Sequence, residues 1–303
     1  MEPLDQPNST PQPPSFVSFM LFLVLGALVG ALIGGGIAVG IGTAMGFDVS
    51  TLANPGENTF SVRTFLRLSN LFSHLFTFTV PALVLTLLFY KRRTVSFLQL
   101  DKWPSGIFIA MGILWVFVSF PFAQLLYWLN RQLPLPDSLL TMEESATRLL
   151  ETLMTMNSPW ELLLNIIVVG VVPAIGEELL FRGIIQRRLQ QMISPLAAIW
   201  ITAVLFSAIH FQFAGFFPRL LLGALLGYLF FWSRSLWLPI IAHFFFNAAQ
   251  VTAQYIYGDK LEQLNLEGPA EPTWIGGLVS LALMVGLGYL MYQNRSTGSA
   301  GDT

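Results

Sequence analysis

The sequence predicts an all-α fold: a polytopic transmembrane helix bundle of about eight spans, each near the ~20 residues that a bilayer requires. Two observations carry this. Hydrophobic residues make up 54% of the chain and charged residues only 11%, where a soluble globular chain has roughly 25% charged residues; the mean hydropathy is +0.65. The apolar residues are also gathered into long runs, near 16–46, 66–89, 105–129, 160–181, 196–211, 217–232, 236–256 and 273–292.

The first run holds Gly26, Gly30 and Gly34 at a spacing of four, then Gly36 and Gly40. Small residues on one helical face let a neighbouring helix approach closely. The run exceeds what a bilayer needs, so a tilted helix is expected. The fifth and sixth runs are short, and the loop between them is a candidate re-entrant segment. A polar, acidic, Pro-rich stretch, "MEPLDQPNSTPQPP", precedes the first run. It lacks the basic region of a signal peptide, and residues 1–15 are expected to form a disordered tail. Residues 16–292 then form a single transmembrane domain, and 293–303 a C-terminal tail.

Basic residues orient such a bundle. Lys91, Arg92 and Arg93 follow the second run, Arg187 and Arg188 the fourth, Arg234 the sixth and Arg295 the eighth. An even number of spans puts these on one side, with both termini cytoplasmic. The opposite loops hold Arg63, Arg67, Arg131, Arg148, Arg219 and Lys260, which leaves a modest bias. The segment 138–157 is amphipathic at helical period and too charged to span; it is expected to lie at the interface, with a gate over a site as the alternative.

Composition excludes some functions. The net charge is −2 with no basic tract, which gives no footprint for nucleic acid. The absence of cysteine rules out disulfides, a thiol nucleophile, thiolate metal sites and lipidation of this chain at cysteine.

The ionisable residues inside apolar runs remain to be explained. Each costs roughly 2.5–3.5 kcal/mol at the centre of a span, so each needs a partner or a task. The histidines are His74, His210 and His243, and all fall within runs. Glu177, Glu178 and Arg182 lie in or just past the fourth run, and Asn247 in the seventh. Glu178 and Arg182 are four apart and share a helical face; Glu177 points about 100° away. At ~1.5 Å rise per residue, Glu177 and His210 lie about 21 and 22 Å from the intervening turn near 191–195, which brings them to one level. His74, near Ser69, Asn70 and Ser73, belongs to no such constellation and reads as a bundle hydrogen bond.

These side chains suit peptide hydrolysis without a protein nucleophile. Glutamate and neutral histidine can deprotonate water and reprotonate a leaving amine. A second histidine with an asparagine can donate to an oxyanion. Other intramembrane protease designs are absent: there is no H-E-x-x-H helix, no G-x-S-x-G turn and no aspartate pair within the runs.

"EELLFR" at 177–182, "FSAIH" at 206–210 and "HFFFN" at 243–247 resemble the three signature motifs of the CPBP family, that of the CAAX prenyl endopeptidase and the bacteriocin-processing Abi proteins. The resemblance covers about residues 160–250. It implies an intramembrane endopeptidase in which Glu177 and His210 activate water, Glu178 pairs with Arg182, and His243 with Asn247 stabilises the oxyanion. It also implies a membrane-associated or lipid-modified peptide as substrate, the bilayer as surroundings and a bacterial plasma membrane as location. No cofactor is expected; the alternative is zinc held by two histidines and a glutamate with water in the fourth position. Two competing functions are a non-catalytic bacteriocin-immunity or scaffold protein, and a transporter. The transporter would require an inverted repeat, and none is evident.

Overall fold

The computed structural model describes residues 14–48, 50, 58–263 and 274–295. The N-terminal tail expected over 1–15 therefore lies almost wholly outside the described residues, as does most of the C-terminal tail. The described residues form nine helices and no strand. They are α1 (Phe16–Ala44), α2 (Phe60–Phe97), α3 (Gly106–Arg131), α4 (Asp137–Met154), α5 (Pro159–Gln190), α6 (Pro195–Ala208), α7 (Phe216–Ser233), α8 (Trp237–Gln263) and α9 (Trp274–Gln293). Their starts follow local chemistry. The hydroxyls of Ser15, Thr59, Ser105, Ser158 and Ser194 each accept a first-turn backbone N–H, satisfying donors that a helix start leaves free.

Each apolar run is a helix, and α4 adds the amphipathic ninth. Six helices (α1, α2, α3, α5, α7 and α9) are long and apolar enough to cross a membrane, and the chain is an integral membrane protein. Helix α6 has only 14 residues, about 21 Å at ~1.5 Å per residue, short of a ~30 Å hydrocarbon core. The loop 209–215 that follows it is held from within the protein. Its Ala214 N–H donates to both oxygens of Glu143 on α4, at 3.0 and 3.2 Å, and its Phe213 carbonyl accepts from Asn130.

Helices α1 and α2 pack closely because of the glycines. A Cβ on Gly30 would collide with the carbonyl oxygen of Phe76, and one on Gly34 would sit 2.8 Å from Ser73 Cα. Opposite these contacts α2 widens into a π-helical turn, Leu75–Thr79.

One apolar core joins α1, α2, α5, α6 and α7 through Phe19, Leu85, Phe181, Ile184, Phe206 and Phe230; a second joins α3, α7, α8 and α9 around Trp115, Leu226, Leu229 and Met284. One end of the bundle gathers its basic residues. There Arg188 donates to the Pro14 carbonyl at 2.8 Å, Arg187 to that of Ser96 at 3.3 Å, and Leu236 N–H to that of Gln99 at 3.0 Å.

At the other end the structure revises the count of basic residues. Arg63 and Arg67 are not free in a loop. Both are buried on Glu161, at 2.7 and 2.8 Å. Arg67 also donates to Asn165 Oδ1 at 2.8 Å and to the Thr155 carbonyl at 2.7 Å, fastening the C-terminal end of α4 to α2 and α5.

Candidate active site

Glu177 and Glu178 close the short α-helical stretch Val172–Glu178 of α5, which lies between π-helical segments Ile166–Val171 and Leu179–Gln186. Adjacent helical residues diverge by about 100°, and the two carboxylates accordingly serve different partners.

Glu178 is held by one oxygen, its Oε2 being buried without a hydrogen-bond partner among the described residues. Its Oε1 accepts from Arg182 Nη1 at 2.6 Å and from His243 Nδ1 at 2.9 Å. Glu178 and Arg182 are 0% exposed and His243 3%. Arg182 also donates to the Gly223 carbonyl at 2.8 Å, and its guanidinium lies 4.7 Å from the centre of the Phe206 ring. One ion pair thereby ties α5 to α6, α7 and α8. A buried charge is tolerable only when paired and hydrogen-bonded, and that requirement holds these helices in register.

Glu177 is committed on one side only. Its Oε1 lies 3.0 Å from His74 Nε2, while Oε2 is 4.0 Å from His243 Nε2, beyond hydrogen-bond reach. The side chain keeps 8% of its exposure.

His210 follows the end of α6. Its Nδ1 is 2.8 Å from the Phe206 carbonyl, and its ring stands edge-on to Phe206 at 5.4 Å between centroids. The chain turns at once, with Phe211 at φ +51°, a conformation that bulky residues adopt at turns or under strain. His210 interacts electrostatically with Glu177 and His243, but no ion pair within 4.0 Å joins it to a carboxylate among the described residues. Asn247 Nδ2 donates to the Val169 carbonyl in the first π-helical segment at 3.0 Å.

These partners fix the ring protons. Carboxylates and carbonyls only accept, so His74 donates from Nε2 and His210 and His243 from Nδ1. The Nε2 atoms of His210 and His243 remain available for chemistry.

Of the six residues singled out from the motifs, Glu177, Glu178 and Arg182 lie on α5, His243 and Asn247 on α8, and His210 just after α6; contacts join Glu178 to Arg182 and His243. The Asn247 amide donates to backbone, and His243 is oriented by Glu178. His74, which the sequence suggested was a bundle hydrogen bond, has Glu177 as its partner, so His74 and His243 lie 3.0 and 4.0 Å from the two oxygens of that one carboxylate. The polar residues Ser69, Asn70 and Ser73, unusual inside an apolar run, were the signal for it.

Ser69, Asn70 and Ser73, with Leu149 and Leu153 of α4 and Gln212 of the loop after His210, line a cavity of about 380 Å³. Helix α4 forms one wall of this cavity. Among the described residues no three His, Asp or Glu side chains converge to hold a metal ion. His243 Nδ1 is taken by Glu178, and His74 and His243 face different oxygens of Glu177.

Residues 159–249, less than a third of the chain, match the family model described as type II CAAX prenyl endopeptidase Rce1-like. This agrees with the CPBP resemblance of the three motifs, which all lie within that segment. A curated relative, the uncharacterized protein YpbD of Bacillus subtilis (strain 168), is 27% identical over 106 residues, 33% of this chain and 52% of that protein. The chain thus spans about half the length of the relative it matches. No solved structure matches.

Proposed function

We propose that this protein is an intramembrane endopeptidase that hydrolyses membrane-associated peptides with water activated by Glu177 and His210. One observation supports this reading. Of two adjacent buried glutamates, Glu178 is wholly buried and ion-paired to Arg182, whereas Glu177 keeps 8% of its side-chain exposure, and its Oε2, without a hydrogen bond among the described residues, stands 4.0 Å from the Nε2 of His243.

In the proposed reaction Glu177 Oε2 accepts a proton from water while His210 Nε2 accepts the second hydrogen bond of that water and orients it. The water oxygen attacks the scissile carbonyl carbon. The carbonyl oxygen takes up the charge and is met by the second N–H of Asn247 and by a proton held on His243 Nε2, whose Nδ1–H stays on Glu178. Glu177 returns its proton to the amide nitrogen, the C–N bond breaks, and acid and amine leave. No step requires a metal.

We place both termini on the cytoplasmic side. The burial of Arg63 and Arg67 on Glu161 removes two basic residues from the opposite end, while Lys91, Arg92, Arg93 and Arg234 stay exposed. We place the protein in a bacterial plasma membrane, on the likeness to the B. subtilis relative.

The experiment is a comparison of protein termini in cells carrying wild type or Glu177→Ala. New termini at or near membrane segments that require Glu177 are expected. Identical sets of termini would contradict a peptidase and favour a binding or immunity role.

A further inference from the structure

We propose that His74, on a helix outside the Rce1-like segment, is a positioning residue for the active-site carboxylate: its Nε2–H holds Glu177 Oε1 and so directs Oε2 to the reacting water. This rests on the assignment of Glu177 as the base.

Several independent features converge on that contact. The hydrogen bond is 3.0 Å long and joins residues 103 positions apart, on α2 and α5. The imidazole is fixed in its plane by stacking on Phe78, 4.5 Å between centroids at 25°. It is mostly buried, with 12% exposure of its side chain. Its Nδ1 is buried and has no hydrogen-bond partner. An unpaired ring nitrogen is tolerated better as a bare acceptor than as an N–H donor, and a carboxylate can only accept. Both arguments put the single proton on Nε2, pointing at Glu177.

The backbone around the contact is shaped to allow it. Directly after His74, α2 widens into the π-helical turn Leu75–Thr79, and single π turns recur at functional sites. On one side of that turn α1 presses through Gly30 and Gly34 against Phe72, Ser73 and Phe76. On the other, Gly176, next to Glu177, faces Thr79, His74 and Phe78 so closely that a Cβ there would sit 3.3 Å from His74 Cε1. The glycine stripe of α1, the π turn of α2 and Gly176 of α5 together set the His74–Glu177 distance.

The consequence is directional. A carboxylate free to rotate would exchange its two oxygens and lose alignment with the carbonyl under attack. With Oε1 occupied, Oε2 alone faces His243 Nε2, 4.0 Å away. His74 neither takes nor gives a proton in this account. It fixes the atom that does.

The test uses full-length protein in lipid nanodiscs, a panel of quenched fluorogenic transmembrane peptides, and the variants His74→Gln, His74→Ala and Glu177→Gln. Glutamine keeps an N–H donor at about the reach of Nε2 but cannot titrate. His74→Ala should lower kcat by about 10- to 100-fold, the scale of misplacing a reacting group by an ångström, with KM changed less than about threefold because substrate binding is not touched. His74→Gln should recover most of the loss. In infrared spectra, the carboxylate band assigned to Glu177 by its disappearance in Glu177→Gln should shift in His74→Ala and return towards its place in His74→Gln. If His74→Ala keeps wild-type kcat while Glu177→Gln is inactive, the inference fails and the functional reading stands. If His74→Gln is as inactive as Glu177→Gln, His74 itself carries a proton and the positioning role is wrong. If Glu177→Gln cleaves like wild type, or wild type cleaves no peptide, the functional reading fails, and an unshifted Glu177 band in His74→Ala then overturns the contact as well.

Discussion

Glu178 and His243, 65 positions apart in sequence, are joined by a 2.9 Å hydrogen bond from imidazole Nδ1 to carboxylate Oε1, with almost no solvent access to either. This bond leaves the opposite ring nitrogen facing Glu177. It also makes Glu178 the point on which Arg182 and His243 both depend, which leaves Glu177 for the proposed role of base.

Arg182→Ala should unfold or destabilise the bundle, because it leaves Glu178 buried without its cation. Breaking such a pair costs about 3–5 kcal/mol. Arg182→Lys should recover part of this, since lysine lacks the planar fork that reaches both Glu178 and the Gly223 carbonyl. Thermal unfolding of the purified variants checks it; an Arg182→Ala protein as stable as wild type would refute the role of the pair.

Asn247→Ala should lower kcat by about 10²- to 10³-fold, the usual cost of one oxyanion donor. Its remaining bond, to the Val169 carbonyl, predicts a modest loss of stability too. Asn247→Ala kinetics with kcat unchanged would leave Asn247 as a helix contact only.

Glu161→Gln should loosen α4. Glu161 accepts from Arg63, Arg67 and the Asn157 N–H, and losing its charge leaves two buried guanidinium groups against a neutral amide. Limited proteolysis should cut within 137–157 faster than in wild type, and thermal stability should fall by about 3 kcal/mol or more. An unchanged cleavage rate there would show that α4 is held by other contacts.

Zinc should be present at well below one equivalent in protein purified without added metal, and chelators should leave the rate unchanged. The basis is ligand spacing: no helix carries an H-E-x-x-H pair to set two ligands on one face. Stoichiometric zinc, with activity lost to chelator and restored by metal, would transfer His210 and His243 to a ligand set.

What was legible in the sequence was local or periodic. Glu178 and Arg182 share a helical face by spacing alone, and the pair forms at 2.6 Å. Counting residues to one turn gives an expectation for the levels of Glu177 and His210, because α5 and α6 are consecutive. Every long apolar run is helical because a membrane-buried backbone has few other ways to satisfy its polar groups. What was not legible was contact across distant segments. Nothing in the spacing of His74 indicates a residue 103 positions away. Arg63 and Arg67 read as loop cations until Glu161 is seen between them. The π-helical turns also escape a 3.6-residue period, and they flank both Glu177 and His74.

The most direct measurement of the central claim is cleavage of a membrane-embedded peptide by purified, reconstituted protein, wild type against Glu177→Gln, with products identified by mass spectrometry in ¹⁸O-labelled water. The account predicts two fragments with label in the new carboxyl group for wild type, and at least about a 10²-fold slower reaction for Glu177→Gln, the scale of removing a general base. Equal rates for the two proteins, with Glu177→Gln folded as wild type, would contradict it.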